Sequence, residues 1–391
     1  MPVSPNPAPA SAPITRLFAL DAARGLAALA VVVWHWQHMY LIGGGKLEER
    51  AIQPFYGLLL PFYEAGWLAV EFFFTLSGFV FFWLYGQAIA QKQIGVRSFF
   101  VARFSRLYPL HLVTLLFIAA LQVLLMTRGF DSFVYGGTTW PNFLLNLAFL
   151  QYFVHGWTFN GPEWSVGVEV LLYGLFFLYC RLVNPARILP LLIVVGIGTF
   201  VLFHDWAAGR GLIGFFAGGL VYEAWRWFRA RPGALRWTLP ILVVTAALWV
   251  FSIVEVQTHW VSAWLETIGQ RGWWVMEMAF RYLLVPLSVL ALALAEPLAP
   301  KFWQRLAPLG DLTYGLYLWH FPLQLLVAAV VMLLGLPTLH LTGHVAFLLY
   351  FAVLIGVSIL SYRYLERPAQ KLLRGALSKP KALAEPAVLR S

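Results

Sequence analysis

The sequence predicts an all-α fold, a polytopic transmembrane helical bundle of about ten spans plus one short re-entrant or interfacial helix. Three observations carry that expectation. The residues are 61% hydrophobic and only 11% charged, with a mean hydropathy of +0.75, outside the range of a soluble domain of this length. Apolar runs of about 20 residues, enough to cross a hydrocarbon core, recur along the whole chain. The basic residues collect in alternate connections between those runs.

Residues 1–16, MPVSPNPAPASAPITR, are rich in Pro, Ala and Ser and carry no positive region ahead of an apolar stretch, so they read as a disordered tail and not as a cleaved signal. Spans are expected near 19–41, 66–86, 107–127, 163–183, 187–204, 211–228, 237–256, 274–296, 311–335 and 344–364. The stretch at 141–153, PNFLLNLAFLQYF, is too short to cross and runs into the turn-rich HGWTFNGPEW. The loop at 256–273 has the aromatic character of a membrane interface. One membrane domain is expected over 17–373, followed by a tail at 374–391 without apolar periodicity.

The connections test this layout. With a cytoplasmic N-terminus and 141–153 not crossing, Arg16, Arg24, Arg103, Arg106, the Arg226–Arg236 cluster and the C-terminal lysines and arginines all lie inside. Outside fall Lys46, Arg50, Arg128, Arg210 and Arg271, and Arg281 stays within a span. A crossing at 141–153 would move Arg226–Arg236 outside, against the positive-inside rule. Both termini are therefore expected in the cytoplasm. The formal net charge of +10 then reports topology and not nucleic-acid binding. A single cysteine, Cys180, excludes an intramolecular disulfide and a cysteine-based metal site, and no metal site is expected.

Within DAARGLAALAVVVWHWQHMY, Arg24 and His35 stand eleven positions apart, about three helical turns or roughly 16 Å along one face. The helix thus holds a permanent cation near one surface and an imidazole in the outer third of the bilayer, both costly unless used. Glu71 and Glu169 are expected at a depth matching His35, where either carboxylate could fix the imidazole tautomer for a general base. Equally, each could satisfy an unrelated buried donor. Glu163 and Trp164 lie at the outer mouth, placed for an acceptor. On the inner side Arg103 and Arg106, in RFSRLYPLH, join Arg24 in a cationic cluster suited to phosphate; the plainer reading is contact with lipid phosphates.

Two levels on one helix face suit a long ligand with a phosphate end inside and a reactive end near His35, the shape of an acyl-coenzyme A. In DLTYGLYLWHFP, Tyr317 and His320 are placed to line the donor channel, or His320 is a satisfied core histidine. Ser77-Gly78 reads as a packing pair, with a nucleophilic Ser77 the lesser reading. His38 reads as interfacial, and His111 as bonded to a carbonyl near Pro109.

Together LDAARGLAALAVVVWHW, GWLAVEFFFTLSGF, RFSRLYPLH, EWSVGVEVLLYGLFF and DLTYGLYLWHFP, in this order along most of the chain, resemble the acyltransferase-3 family, bacterial integral-membrane enzymes that O-acylate extracytoplasmic polysaccharides. The resemblance implies that Arg24 and His35 are the family's essential pair, with His35 catalytic, and that Arg103 and Arg106 serve the acyl donor. It also implies transfer of an acyl group, most often acetyl, from cytoplasmic acyl-CoA as co-substrate to a glycan or lipid-linked saccharide at the bacterial inner membrane, with polysaccharide-biosynthesis proteins as partners. Many members read like W-S-L-x-V-E where this chain has Gly167 and Val168 before Glu169. Two mechanisms are compatible with the residues, His35 as general base or as acyl carrier. N-acylation of an amino sugar, and anion or proton transport without bond formation, are the competing readings.

Overall fold

The computed structural model describes residues 16–154, 158–231, 233, 235–338 and 340–377. The expected tails therefore lie outside the described residues, apart from Arg16 and residues 374–377. The protein is an all-α membrane protein. Among the described residues, eight helical segments are long and apolar enough to cross a membrane by length and composition: Phe18–Gly44, Tyr56–Ala90, Val96–Thr127, Gly161–Leu182, Arg236–Thr258, Gly272–Leu298, Thr313–Leu334 and His344–Leu377. The two other expected spans are also helical, Ile188–Leu202 and Trp206–Arg229. The first of these has 15 residues, and the second carries Arg210 and Glu223 among its glycines.

The stretch at 141–153 divides into helices Trp140–Leu147 and Gln151–Val154, each too short to cross. Thr139 caps the first by accepting from the Asn142 amide, and Asn142, Asn146 and Gln151 are buried. The region after Thr258 also turns into a short helix, Trp260–Thr267, whose Trp260 and Trp264 are exposed, in keeping with an interfacial aromatic loop.

Close packing in the core follows from small residues. Helix Trp206–Arg229 lies against Ala69–Phe81 so tightly that a Cβ on Gly218 would strike the Thr75 carbonyl, and one on Gly78 would strike the Phe215 carbonyl. Its other side meets Leu202 at Gly209 in the same way. The packing role expected for Gly78 is the one the structure gives it. Phe81, Phe82, Phe99, Phe176 and Phe215 fill the volume beside this contact.

The first helix, Phe18–His35, is crossed by the short helix Pro308–Asp311, where a Cβ on Gly25 would lie 2.6 Å from the Leu309 backbone. The crossing brings the Gly310 carbonyl against this helix, where it accepts from Arg24 Nη2 at 3.0 Å.

Two boundaries differ from expectation. The first α-helix ends at His35 and continues as a 3₁₀ segment, Trp36–Gly44, instead of running on as α-helix to 41. At the other end a helix, Arg367–Leu377, continues past residue 373 and packs on Val96–Thr127.

Candidate functional site

The change from α to 3₁₀ at Trp36 builds the first part of the site. Residues three apart are offset by about 60° around an α-helix but eclipsed in a 3₁₀ turn, so His38 swings onto the face of His35. The rings lie 5.1 Å apart between centroids, and His320 of helix Thr313–Leu334 adds a third imidazole 4.8 Å from His35. All three are buried. The interfacial reading of His38 is thereby corrected.

Hydrogen bonds fix the tautomers. His35 Nδ1 lies 2.8 Å from the Val31 carbonyl, which can only accept, so Nδ1 carries the proton and Nε2 presents its lone pair. His320 Nδ1 faces the Leu316 carbonyl at 3.3 Å, and its Nε2 is buried without a partner. Gln324 ties the cluster together: its Nε2 donates to the His35 carbonyl at 2.9 Å while its Oε1 accepts from His38 Nδ1 at 3.0 Å. Tyr135 completes the chain by donating to His38 Nε2 at 3.4 Å.

The second part is a pair of joined cavities. A wide vestibule of about 370 Å³ opens among Arg16, Arg24, Arg103, Arg106, Arg367 and Arg374. It shares Arg24, Leu76, Val80, Arg103, Arg106 and Tyr314 with an inner cavity of about 130 Å³ that reaches Ser165, Glu169 and Tyr317. Arg103 is buried, donates to the Tyr85 hydroxyl at 2.5 Å and lies over the Phe81 and Tyr85 rings at 5.0 and 4.8 Å. Arg106 is exposed. Arg24 donates to Asp21 Oδ1 at 3.2 Å as well as to Gly310. The expected grouping of Arg24, Arg103 and Arg106 is thus realised at one cavity wall. Tyr317 donates to the Pro162 carbonyl at 2.7 Å, meets Ser165 Oγ at the same distance, and sits 5.9 Å from the His320 ring. The inner cavity ends at that tyrosine, one ring contact short of His320.

The carboxylates do not meet His35, which corrects the expectation that Glu71 or Glu169 orients its imidazole. Glu71 is fully buried and accepts from Arg210 Nε at 2.5 Å and Arg281 Nη2 at 3.0 Å; Arg281 also reaches Glu277 at 2.5 Å. A carboxylate at that depth takes the nearest guanidinium, because an unpaired buried arginine costs more than a displaced imidazole partner. Glu169 accepts from Ser77 at 3.0 Å and Tyr173 at 2.6 Å, facing the inner cavity. Ser77 is therefore a donor to a carboxylate.

Glu163 is fully buried and paired with His111 Nδ1, so it is not open at a mouth; His111 Nε2 reaches the Asn146 carbonyl at 2.9 Å. Trp164 does not stand free for an acceptor either. With Trp67 and Trp206 it encloses Arg210, whose guanidinium carbon lies 5.1 Å from Trp67, 5.0 Å from Trp164 and 3.9 Å from Trp206. Asp205 begins that arginine's helix by accepting from Ala208 at 3.0 Å and from the Tyr152 hydroxyl at 2.6 Å. Burial, and then the Asp205 carboxylate, push the Tyr152 phenol up, so it holds its proton as a donor.

Arg210 is the residue that sequence reasoning misplaced. It was expected in an outside connection and is instead fully buried inside helix Trp206–Arg229. The signal was present in AAGRGLIGFFAGG, an arginine within an apolar, glycine-rich run.

The family model described as acyltransferase domain, of the acyltransferase-3 type, matches residues 17–363. Acyltransferase MdmB of Streptomyces mycarofaciens is 33% identical over 180 residues, 44% of this chain and 42% of that protein. Protein 2 in the picA locus of Rhizobium radiobacter is 33% identical over 120 residues, 31% of this chain and 53% of that protein. Peptidoglycan O-acetyltransferase OatA of Listeria monocytogenes is 22% identical over 388 residues, 90% of this chain and 55% of that protein. The chain spans about half the length of the curated relatives it matches. No solved structure matches it at a significant level. On the family match across most of its length, the chain belongs to the acyltransferase-3 family of membrane acyltransferases.

Proposed function

We propose that this membrane acyltransferase moves an acyl group, in the simplest case acetyl, from cytoplasmic acyl-CoA to a hydroxyl of an extracytoplasmic or lipid-linked glycan. The observation that carries the donor half is the arginine-lined vestibule leading into a narrow cavity that ends at Tyr317, beside the His320 and His35 rings. Guanidinium groups at the wide end suit a nucleotide's phosphates, and a narrow cavity suits an extended pantetheine arm. The glycan hydroxyl as acceptor is supported by the similarity to OatA, which is named a peptidoglycan O-acetyltransferase.

His35 acts at Nε2 in this reading. As general base it takes the proton of the attacking hydroxyl, whose oxygen forms the new ester bond as the thioester C–S bond breaks and CoA leaves as thiol or thiolate. As carrier the same nitrogen accepts the acyl group first and passes it on. In either route Arg24, Arg103 and Arg106 hold the donor and do not touch the reacting carbonyl. Glu169 faces the inner cavity with Ser77 and Tyr173, where the pantetheine arm would lie in this reading.

The test is transfer from labelled acetyl-CoA in inside-out membrane vesicles. The label is expected on glycan, with one CoA released per ester formed; movement of intact substrate without CoA release would contradict the reading. Acid quench of the purified protein with acetyl-CoA alone separates the two routes, since only the carrier route leaves an adduct on His35.

A further inference from the structure

The family match ends at residue 363, yet the vestibule's wall does not. The segment Tyr362–Glu366 and the helix Arg367–Leu377 continue around it and contribute Tyr362, Glu366, Arg367, Gln370 and Arg374. Arg367, Gln370 and Arg374 recur at spacings of three and four, so they share one face of the helix, and that face is the one lining the vestibule. A surface helix resting on a membrane would turn its arginines toward lipid headgroups. This one turns three of its polar residues into a cavity already lined by Arg16, Arg24, Arg103 and Arg106.

Charge narrows the occupant. Among the described residues, six arginines and three carboxylates, Asp21, Asp311 and Glu366, line the vestibule, so guanidinium groups dominate its wall. Asp21 is already engaged by Arg16 at 2.6 Å and by Arg24, and Asp311 by Arg16 at 3.3 Å. Arg367 lies over the Tyr362 ring, 5.3 Å from its centroid, which holds it at the vestibule rim. The aromatic residues Trp83, Tyr85, Tyr314 and Tyr362 also border the space. A ligand with several phosphates and one flat heterocycle satisfies both sets of groups. One isolated phosphate would span only part of that arginine-rich wall.

We propose that the helix Arg367–Leu377 is one wall of a nucleotide subsite, in which Arg367 and Arg374 hold the phosphates of a 3′-phosphorylated adenosine diphosphate moiety, the head of the acyl donor. This rests on the acyl-CoA reading above and adds to it a recognition element beyond the family's matched region. Discrimination follows from it: coenzyme A binds more tightly than dephospho-coenzyme A, because the 3′-phosphate supplies the charge that these arginines answer.

The experiment uses the full chain in nanodiscs of zwitterionic lipid and measures coenzyme A and dephospho-coenzyme A affinity by calorimetry for the parent and for Arg367→Gln/Arg374→Gln. The parent should prefer coenzyme A. The double variant should bind it about 30-fold more weakly and lose most of that preference, with an unchanged melting temperature. If the parent binds no coenzyme A, the acyl-CoA reading fails and this inference with it. If the parent binds and the variant binds equally well, this inference alone is overturned. Nanodiscs of phosphatidylglycerol supply the other source of phosphate: stabilisation of the parent but not of the variant by that lipid, with coenzyme A affinity unmoved, would assign the arginines to headgroups and overturn the inference. Should the glutamine pair fail to fold, Arg367→Lys/Arg374→Lys keeps the charge and loses the fork. It should weaken coenzyme A binding by a smaller factor, and unchanged affinity would overturn the inference as well.

Discussion

The imidazole of His35 is committed at one nitrogen and open at the other, and that asymmetry is the centre of the site. Gln324 holds it there by bonding the His35 carbonyl and His38 together. Replacing Gln324 with leucine removes the side-chain donor to the His35 carbonyl and leaves the His38 Nδ1–H without its acceptor. The expected outcome is a fall in kcat of about tenfold with little change in KM for the donor, measured by steady-state transfer kinetics. An unchanged kcat would show that the pair does not position His35.

Glu71 makes a different demand. Glu71→Gln would leave Arg210 and Arg281 buried without their shared carboxylate, and should lower stability by about 3–5 kcal/mol. Thermal unfolding in detergent checks this, and Glu71→Met/Arg210→Met should recover part of the loss. The pairs Arg24–His35, Arg103–Arg106 and Tyr317–His320 were legible as pairs because spacing along each one's own helix determines which face its two members share. Glu71 was not, because its partners lie 139 and 210 positions away and periodicity says nothing about which helices become neighbours.

Among the elements, helix-to-helix approach at glycine decides the architecture. Gly218→Val would drive two methyls into the backbone of Ala69–Phe81 at Thr75, where no flexible side chain can give way. The expected result is loss of monodisperse protein on size-exclusion chromatography in detergent. Leu220→Ala, on the same helix and away from that contact, should survive purification. The apolar runs made all ten expected helices readable, and the length of 141–153 made it readable that this stretch forms only short helices. What composition did not reveal was the local pitch. The 3.6-residue period holds to His35 and then gives way to 3₁₀ geometry, which is why His38 was assigned to the interface and is found beside His35.

At the scale of the whole molecule, the cation-rich vestibule and the histidine cluster are joined through one narrow cavity and Tyr317. On the positive-inside rule, the proposed orientation has the vestibule end facing the cytoplasm. Cysteine labelling tests that orientation against a low background, because the native Cys180 is buried. A membrane-impermeant maleimide applied to intact cells should label Lys46→Cys and spare Arg305→Cys; the reverse pattern would invert the proposed direction of transfer. The central claim is that acyl transfer passes through His35. Its most direct measurement is the transfer of labelled acetyl from acetyl-CoA to glycan by membranes containing equal amounts of parent and His35→Ala protein. Transfer is predicted to fall to the level of membranes lacking the protein, with binding of coenzyme A retained. Transfer at the parent rate by His35→Ala would contradict the account.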